Sequence, residues 1–322
     1  MGKYENETPT SMSMNMKTVV GMLKEYMKSG TQRRPAAAAI PVVEFRATDE
    51  ALRADAAQVT WFGHSAFLLE LEGKRLLFDP MLGPRPSPVS WAGTKRYADK
   101  LPLPPERFPA LDAIILSHDH YDHLDYASIR ALKDKTRRFI VPLGVRERLI
   151  RWGVRADDIT EHNWWDELEL NGLKLACTPA RHFSGRGMFN RNSTLWCSWV
   201  IAGRATKVFY SGDSGYGPHF KRIGETYGPF DLTLMECGQY NERWAAIHMM
   251  PEETVQAHLD VRGRLLLPVH WGAFTLALHA WNDPVERATK AARERQVDIV
   301  TPKIGQTVAI HAKLYPESDW WR

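Results

Sequence analysis

The 322-residue sequence lacks several features that would place it in a specialised class of protein. Its three cysteines, Cys177, Cys197 and Cys237, are far apart and form no CxxC pair, so neither a disulfide framework nor a thiolate zinc site is predicted. No run of about 18 apolar residues occurs, and the first residues lack the apolar stretch of a signal peptide. These absences predict a cytoplasmic protein without a membrane-spanning helix.

Charge of one sign is also scarce, because the net charge is only +4 at pH 7. The basic residues are scattered, apart from Arg33-Arg34 and a short group at Lys135, Arg137 and Arg138. Nucleic acid is therefore not expected as a partner. A mildly basic surface would still help to dock an anionic substrate or a lipid head group.

Residues 1 to 55 differ from the rest and are predicted to form an N-terminal arm. Apolar residues within it recur at helical spacing and predict an amphipathic helix; they are Met16, Val19, Val20, Leu23 and Met27. The apolar face would pack on the chain's own domain, which is the favoured interpretation, or contact a membrane surface. In the second case Lys17, Lys24 and Lys28 are available to anionic head groups.

From residue 56 to 322 the sequence changes to short apolar runs that end at Gly, Pro or Asp, a pattern typical of strands. The first runs predict a hairpin that turns at Glu72-Gly73. Further strands are predicted in LDAIIL, RRFIVPLG, GLKLACT, TKVFYS, DLTLMECG and RLLLPVHWG. Helices are predicted over YASIRALKDK, PEETVQAHLDVRG and DPVERATKAARER. This mixture predicts one layered α/β domain that carries the catalytic site.

Four of the predicted strands lead directly to side chains that can bind a metal ion. These side chains are His118, His182, Asp213 and His270. Because strands that lie in a sheet end at a common edge, the four distant segments are expected to converge on one site.

The densest segment is HDHYDH at residues 118–123. In extended chain His118, His120 and Asp122 would point the same way, whereas His123 breaks that period. Three ligands on one side and a fourth displaced would serve two adjacent metal ions. Imidazole and carboxylate without thiolate suit Zn²⁺, with Mn²⁺ and Fe²⁺ as alternatives. An isolated histidine is ordinarily a packed or surface residue, but this cluster after a buried strand predicts a metal site.

HDHYDH resembles the signature of the metallo-β-lactamase superfamily, and longer stretches are similar to the N-acylphosphatidylethanolamine phospholipase D-like family. Those stretches are WFGHSAFLLE, DPML, PSPVSWAGTKRY, SHDHYDHLD, SGDSGYGPHF, HMMPEETVQAHLD and PVHWGAF, spanning about residues 58 to 285. The HxHxDH pattern alone identifies only the superfamily, whereas PSPVSWAGTKRY and GDSGYGPHF narrow the resemblance. It implies an αββα sandwich, in which two mixed β-sheets are flanked by helices and the metals lie at one edge.

The resemblance further implies seven ligands for two Zn²⁺ ions per chain. Three histidines hold one ion, two histidines and an aspartate hold the other, and a second aspartate bridges both. The resemblance assigns His118, His120 and His182 to the first ion, Asp122, His123 and His270 to the second, and Asp213 to the bridge between them. The complete set argues against a metal-free homologue and against flavodiiron-type oxygen chemistry, in which a glutamate usually replaces the second histidine. The β-lactamases proper generally lack an aspartate like Asp213, so their activity is not expected.

Two zinc ions lower the pKa of a shared water and supply hydroxide at neutral pH, which Asp213 would position. A phosphodiester suits such a site, because the metals oppose the negative charge that develops during attack. The resemblance places His248 beside the substrate, where it would bind phosphate or protonate the leaving oxygen; the alternative is a capping or packing role. His64 and Asp79 are predicted to orient metal ligands.

The leading hypothesis is a zinc phosphodiesterase of phospholipase D type that acts on N-acyl phosphatidylethanolamine-like lipids. One alternative is zinc hydrolysis of a soluble substrate, such as a lactone or a sugar phosphate. Another is a metal-binding sensor without turnover, against which the complete ligand set argues. The sequence is also compatible with a peripheral membrane contact and with a homodimer.

Overall fold

The computed structural model describes residues 2–10, 16–27, 31–36, 39–48, 53, 55–89, 91–187, 189–316 and 318–322. The strands are Ala57–Trp61 (β1), Phe67–Leu71 (β2), Lys74–Phe78 (β3), Leu111–Ile115 (β4), Thr136–Pro142 (β5), Ile159–His162 (β6), Glu167–Leu170 (β7), Leu173–Thr178 (β8), Ser198–Ala202 (β9), Lys207–Tyr210 (β10), Phe230–Glu236 (β11), Gly263–Val269 (β12), Asp298–Ile299 (β13) and Thr307–Ala309 (β14). The α-helices are Met16–Met27 (α1), Tyr126–Leu132 (α2), Arg146–Arg151 (α3), His219–Tyr227 (α4), Pro251–Asp260 (α5) and Asp283–Glu294 (α6).

The strands form two mixed sheets of seven, in the orders β14-β1-β2-β3-β4-β5-β6 and β13-β12-β11-β10-β9-β8-β7. In the first sheet β3 to β6 are parallel neighbours. In the second sheet the same holds for β10 to β13. Parallel neighbours present their carboxyl ends at one edge, so each sheet contributes several strand ends to the same side of the molecule.

Apolar side chains from both sheets fill the space between them and form the largest core cluster. On the outer face of the first sheet pack Ile129 of α2 and Leu149 of α3. On the outer face of the second sheet pack Phe220 of α4, Val255 of α5 and Ala291 of α6. Full burial of a large apolar side chain is worth about 1.5–3 kcal/mol, so these layers dominate the stability of the fold. The predicted αββα sandwich is confirmed.

The hairpin predicted from the first apolar runs is formed by β2 and β3 in antiparallel register. Its turn residues Glu72 and Gly73 have φ angles of 48° and 79°. Positive φ at both positions matches the right-handed twist of the flanking strands, and Gly73 adopts it without the steric cost that a side chain brings.

The helix predicted in the N-terminal arm is present as α1. Arg33 donates hydrogen bonds to the carbonyls of Tyr26 (3.0 Å) and Glu25 (2.8 Å), and so satisfies acceptors that the helix end leaves open. Glu25 also forms an ion pair of 2.8 Å with Arg243. Of the apolar face, Val20 and Met27 are exposed; Lys28 and the side chains of Met16, Lys17, Val19 and Leu23 lie outside the described residues.

Among the described residues, every helix is too short or too polar to cross a bilayer.

Candidate metal centre

The site lies where strands of both sheets end. The loop after β4 carries the residues of the HDHYDH segment, and the loops after β8, β10 and β12 carry His182, Asp213 and His270. The structure brings all seven predicted ligands together in overlapping groups whose donor atoms lie within 4.8 Å of one another. An isolated bridge between His64 and Trp271 joins the two sheets at this point.

The first group consists of His118, His120 and His182. The Nδ1 atom of His120 lies 2.9 Å from His118 Nε2 and 3.3 Å from His182 Nε2. His182 is oriented by its Nδ1 atom, which lies 2.9 Å from the carbonyl oxygen of Ile247. Nδ1 therefore carries the proton, and the lone pair of Nε2 points toward the other two rings.

The second group consists of His64, Asp122, His123 and His270. His64 Nε2 lies 2.8 Å from Asp122 Oδ2, a contact that orients this carboxylate. His270 Nδ1 lies 3.0 Å from the hydroxyl of Ser65, which leaves Nε2 directed toward Asp122 at 4.0 Å.

Asp79 orients His123, a member of the second group, through direct contact. Its Oδ2 atom lies 2.7 Å from His123 Nδ1 and accepts a hydrogen bond from the hydroxyl of Tyr210 at 2.6 Å. Its Oδ1 atom accepts from the amide of Ser117 at 2.8 Å. Asp79 therefore fixes both the ring of His123 and the start of the loop that follows β4, so His123 Nε2 faces the site. Neither Ser117 nor Tyr210 is marked by the sequence pattern.

Asp213 lies between the two groups. Its Oδ2 atom is 3.0 Å from His123 Nε2 and 3.8 Å from the Nε2 atoms of both His118 and His182. Its Oδ1 atom is buried without a hydrogen-bond partner, although His270 Nδ1 is 3.1 Å away. A buried carboxylate oxygen without a partner is costly, and a cation would satisfy it.

The ionisation of the site also suits a metal. Burial lowers the pKa values of His118, His182 and His270 well below the ordinary value, and that of His120 to about 4. These four rings are neutral at pH 7 and present free lone pairs. His123 is the exception: burial opposes its charge, but the carboxylates of Asp213, Asp122 and Asp79 raise its pKa well above the ordinary value. His123 would have to lose this proton to bind a metal ion. The four neutral rings and the carboxylates are donors that suit a divalent ion such as Zn²⁺.

Three residues of the site have backbone angles that side chains rarely adopt. The φ angles are 54° at His64, 37° at Asp79 and 66° at His270. Such conformations cost about 1–3 kcal/mol each and persist only where the surrounding structure enforces them. At these three positions the backbone is held in such a conformation next to the proposed metal ligands.

Glu236, the last residue of β11, lies outside the predicted set of site residues. It is fully buried, and its Oε2 atom lies 2.8 Å from His248 Nδ1 while Oε1 accepts a hydrogen bond of 2.6 Å from the amide of Met249. A signal for it was present, because Glu236 ends an apolar strand in the same way that the other site residues follow theirs.

A pocket of 220 Å³ opens onto these groups. Its walls combine metal-competent residues with four apolar side chains, Phe183, Trp244, Ile247 and Leu276. Trp244 and Leu276 also line a neighbouring groove of 540 Å³, to which α1 contributes Met22 and Tyr26. The metal site and the N-terminal helix therefore share one wall.

The chain is similar to several known proteins. Residues 74–271 match the family described as the beta-lactamase superfamily domain. An uncharacterized protein of Mycobacterium tuberculosis is 43% identical over the whole of this chain and 86% of its own length. N-acyl-phosphatidylethanolamine-hydrolyzing phospholipase D 1 of Caenorhabditis elegans is 37% identical over 67% of this chain and 64% of its own length.

A solved structure shares the fold. The metallo hydrolase Igni18 of Ignicoccus hospitalis superposes with a TM-score of 0.60 over 80% of this chain and 100% of its own, at 23% identity.

Proposed function

The chain belongs to the β-lactamase superfamily and is a metal-dependent hydrolase of the metallo-β-lactamase fold, and we propose a more specific activity for it. It is a phosphodiesterase that uses two zinc ions, held by the seven residues predicted as ligands. Its substrate is a phospholipid of the N-acyl phosphatidylethanolamine type, cleaved as by a phospholipase D.

The proposal of two metal ions depends on the position of Asp213. Its carboxylate lies 3.0 Å from a nitrogen of the second group and 3.8 Å from two nitrogens of the first. One oxygen is buried without a hydrogen-bond partner. Asp213 would therefore be a ligand shared by an ion at the first group and an ion at the second, whereas a single ion would leave one of the two groups without a cation.

Bound zinc would lower the pKa of water and stabilise the negative charge that develops on the phosphoryl oxygens. The residues of the chain supply the rest. Asp213 directs the attacking water. His248 lies at the pocket wall with its side chain 12% exposed, and because Glu236 occupies its Nδ1 atom, Nε2 is left for the substrate.

The reaction adds water to phosphorus and breaks the bond from phosphorus to the N-acylethanolamine oxygen. That oxygen leaves with a proton, which His248 would donate, and phosphatidic acid is the other product. The apolar wall formed by Phe183, Trp244, Ile247 and Leu276 suits a lipid better than a small polar ester. The relative from Caenorhabditis elegans, named for hydrolysis of such a lipid, supports this choice.

We also propose that residues 1–55 act as an arm on the catalytic domain of residues 56–322 and contact the membrane through α1. Among the α1 side chains that the structure describes, three apolar ones are exposed: Val20 (45%), Tyr26 (59%) and Met27 (66%). The groove that α1 lines shares Trp244 with the metal pocket. A lipid held at this helix would have a short path to the site.

The test is metal analysis combined with a substrate panel. Purified protein should contain about two zinc ions per chain, lose activity on chelation and regain it with zinc. The panel should contain N-acyl phosphatidylethanolamine, phosphatidylethanolamine, bis(p-nitrophenyl) phosphate, a lactone and a sugar phosphate. His182→Ala should lose metal and activity, whereas Asp99→Asn, which changes an exposed aspartate, should lose neither.

Each other outcome has a definite meaning. Active protein without a transition metal would contradict the metal centre. Turnover of the lactone or sugar phosphate alone would support a soluble substrate. Two bound zinc ions without turnover of any member of the panel would support the sensor hypothesis.

A further inference from the structure

One side chain of the N-terminal arm pairs with the main chain of a proposed metal ligand. Asn6 Nδ2 donates a hydrogen bond of 2.8 Å to the carbonyl oxygen of His182. The amide of His182 donates one of 3.0 Å to Asn6 Oδ1. The indole Nε1 of Trp196 donates to the same Oδ1 atom at 2.9 Å. Both main-chain polar groups of His182 are therefore paired with a residue 176 positions earlier in the sequence.

Neighbouring contacts keep this part of the arm in place. The amide of Tyr4 donates to the carbonyl of Asn192 at 2.9 Å. Arg181, the residue before the ligand, donates to Thr10 Oγ1 at 3.0 Å and to the carbonyl of Pro9 at 3.1 Å. Glu7 forms an ion pair of 2.8 Å with Arg222. The arm thus contacts the loop between β8 and β9 on both sides of Asn6.

His182 needs support of this kind because it lies beyond the end of β8, outside the sheet ladder. The carbonyl of Ile247 orients its ring, but a ring can aim Nε2 correctly only if its own Cα is held. Metal ligands must keep their geometry within a few tenths of an ångström, so a loose main chain would weaken the site.

We infer that Asn6 is a positioning residue of the metal centre, and that the arm sets the affinity for the ion held by His118, His120 and His182. This inference rests on the proposed metal centre. Asn6 does not contact the pocket, so its effect passes through the main chain of His182.

The experiment measures the two stepwise zinc dissociation constants of the full chain by competition with a chromophoric chelator. Asn6→Ala should weaken one step about 10- to 100-fold, the usual cost of losing a group that supports a metal ligand, and leave the other unchanged. His182→Ala identifies which step belongs to the first group. Glu7→Ala, which removes only the exposed ion pair of the same arm, is the matched control and should bind zinc as the wild type does.

A second measurement separates positioning from general stability. The metal-free Asn6→Ala protein, which loses three hydrogen bonds, should unfold at a lower urea concentration than Glu7→Ala. It should still be fully folded without urea, so a loss of zinc affinity confined to one step reports on the position of His182 and not on unfolding. If Asn6→Ala does not fold, Asn6→Asp keeps both accepted hydrogen bonds and loses only the donated one; its affinity at the same step should still fall.

The positioning role alone would be overturned if Asn6→Ala bound zinc with wild-type affinity while His182→Ala bound it more weakly. Where Asn6→Ala does not fold, wild-type zinc affinity in Asn6→Asp would lead to the same conclusion. An equal loss in Glu7→Ala would do the same. Unchanged zinc binding in His182→Ala would overturn the metal centre and this inference together.

Discussion

The Nδ1 atom of His248 lies 2.8 Å from the Oε2 atom of Glu236, and the carboxyl group is fully buried at the end of β11. Burial raises the pKa of Glu236 well above its ordinary value and lowers that of His248. The contact holds the ring at one edge and leaves its other nitrogen for the pocket.

Replacing His248 tests its role in proton transfer. His248→Ala should keep both zinc ions and lose about 10²- to 10⁴-fold in turnover, the range for loss of a general acid. Turnover and metal content should be measured on the same preparation. Loss of zinc in this variant would mean that His248 is itself a ligand.

Replacing Glu236 tests whether His248 must be oriented. Glu236→Leu has a side chain of similar size that can neither pair with His248 Nδ1 nor accept a hydrogen bond from the Met249 amide. Turnover should fall at least about 10-fold, but by less than in His248→Ala. In the double variant the loss should equal that of His248→Ala alone; a further loss would assign Glu236 a separate function.

Asp213→Asn keeps the shape of the side chain and removes its charge. It should lose zinc affinity and nearly all turnover. The metal-free variant should nevertheless fold, because burial raises the pKa of Asp213 to about 6. In the wild-type protein, ionisation of this carboxylate therefore lowers the free energy of unfolding. The loss begins near pH 3.8, grows as pH rises through about 6 and is complete above that pH. Urea unfolding of the metal-free proteins at pH 5 and 8 should show Asp213→Asn gaining relative to the wild type at pH 8.

His258, remote from the proposed ligands, should make stability depend on pH in the opposite sense. Its ring contacts Thr233 at 2.7 Å, and burial lowers its pKa from 6.5 to about 4. As pH falls, the unfolded chain therefore takes up a proton at His258 before the folded chain does. Stability is fully present above pH 6.5 and is lost as pH falls through 4, by up to about 3 kcal/mol. His258→Asn, which keeps an acceptor for Thr233, should lose less stability than the wild type between pH 7 and 4 in chelator. Parallel losses would exclude His258 as the cause.

The membrane contact is best tested by point changes in α1. Deleting residues 1–28 would also remove Asn6 and its bonds to His182, so loss of activity could not be assigned to lipid binding. Val20→Glu with Met27→Glu should weaken binding to anionic vesicles and leave hydrolysis of bis(p-nitrophenyl) phosphate unchanged. Wild-type binding should fall as salt rises. Leu314→Glu, at another exposed apolar residue, is the control; equal vesicle binding in all proteins would favour a packing role for the helix.

Local features were readable from the sequence. The β2–β3 hairpin, the core strands β4, β5, β8, β10, β11 and β12, and the helices α2, α5 and α6 all follow from apolar periodicity and turn residues that lie within a few positions of one another. The HDHYDH segment by itself also predicts a metal site, because its donor atoms belong to residues that are close together in the sequence.

Other features depend on partners that are distant in the sequence. Edge strands such as β7 and β6 are short and partly polar, and become strands only because β8 and β5 pair with them. The order of the two sheets, the contact of Glu236 with His248 and the pairing of Asn6 with His182 arise in the same way. Each of these features is set by long-range packing. Which side chains become partners depends on which strands end at the same place, and the spacing of residues along the chain does not indicate that.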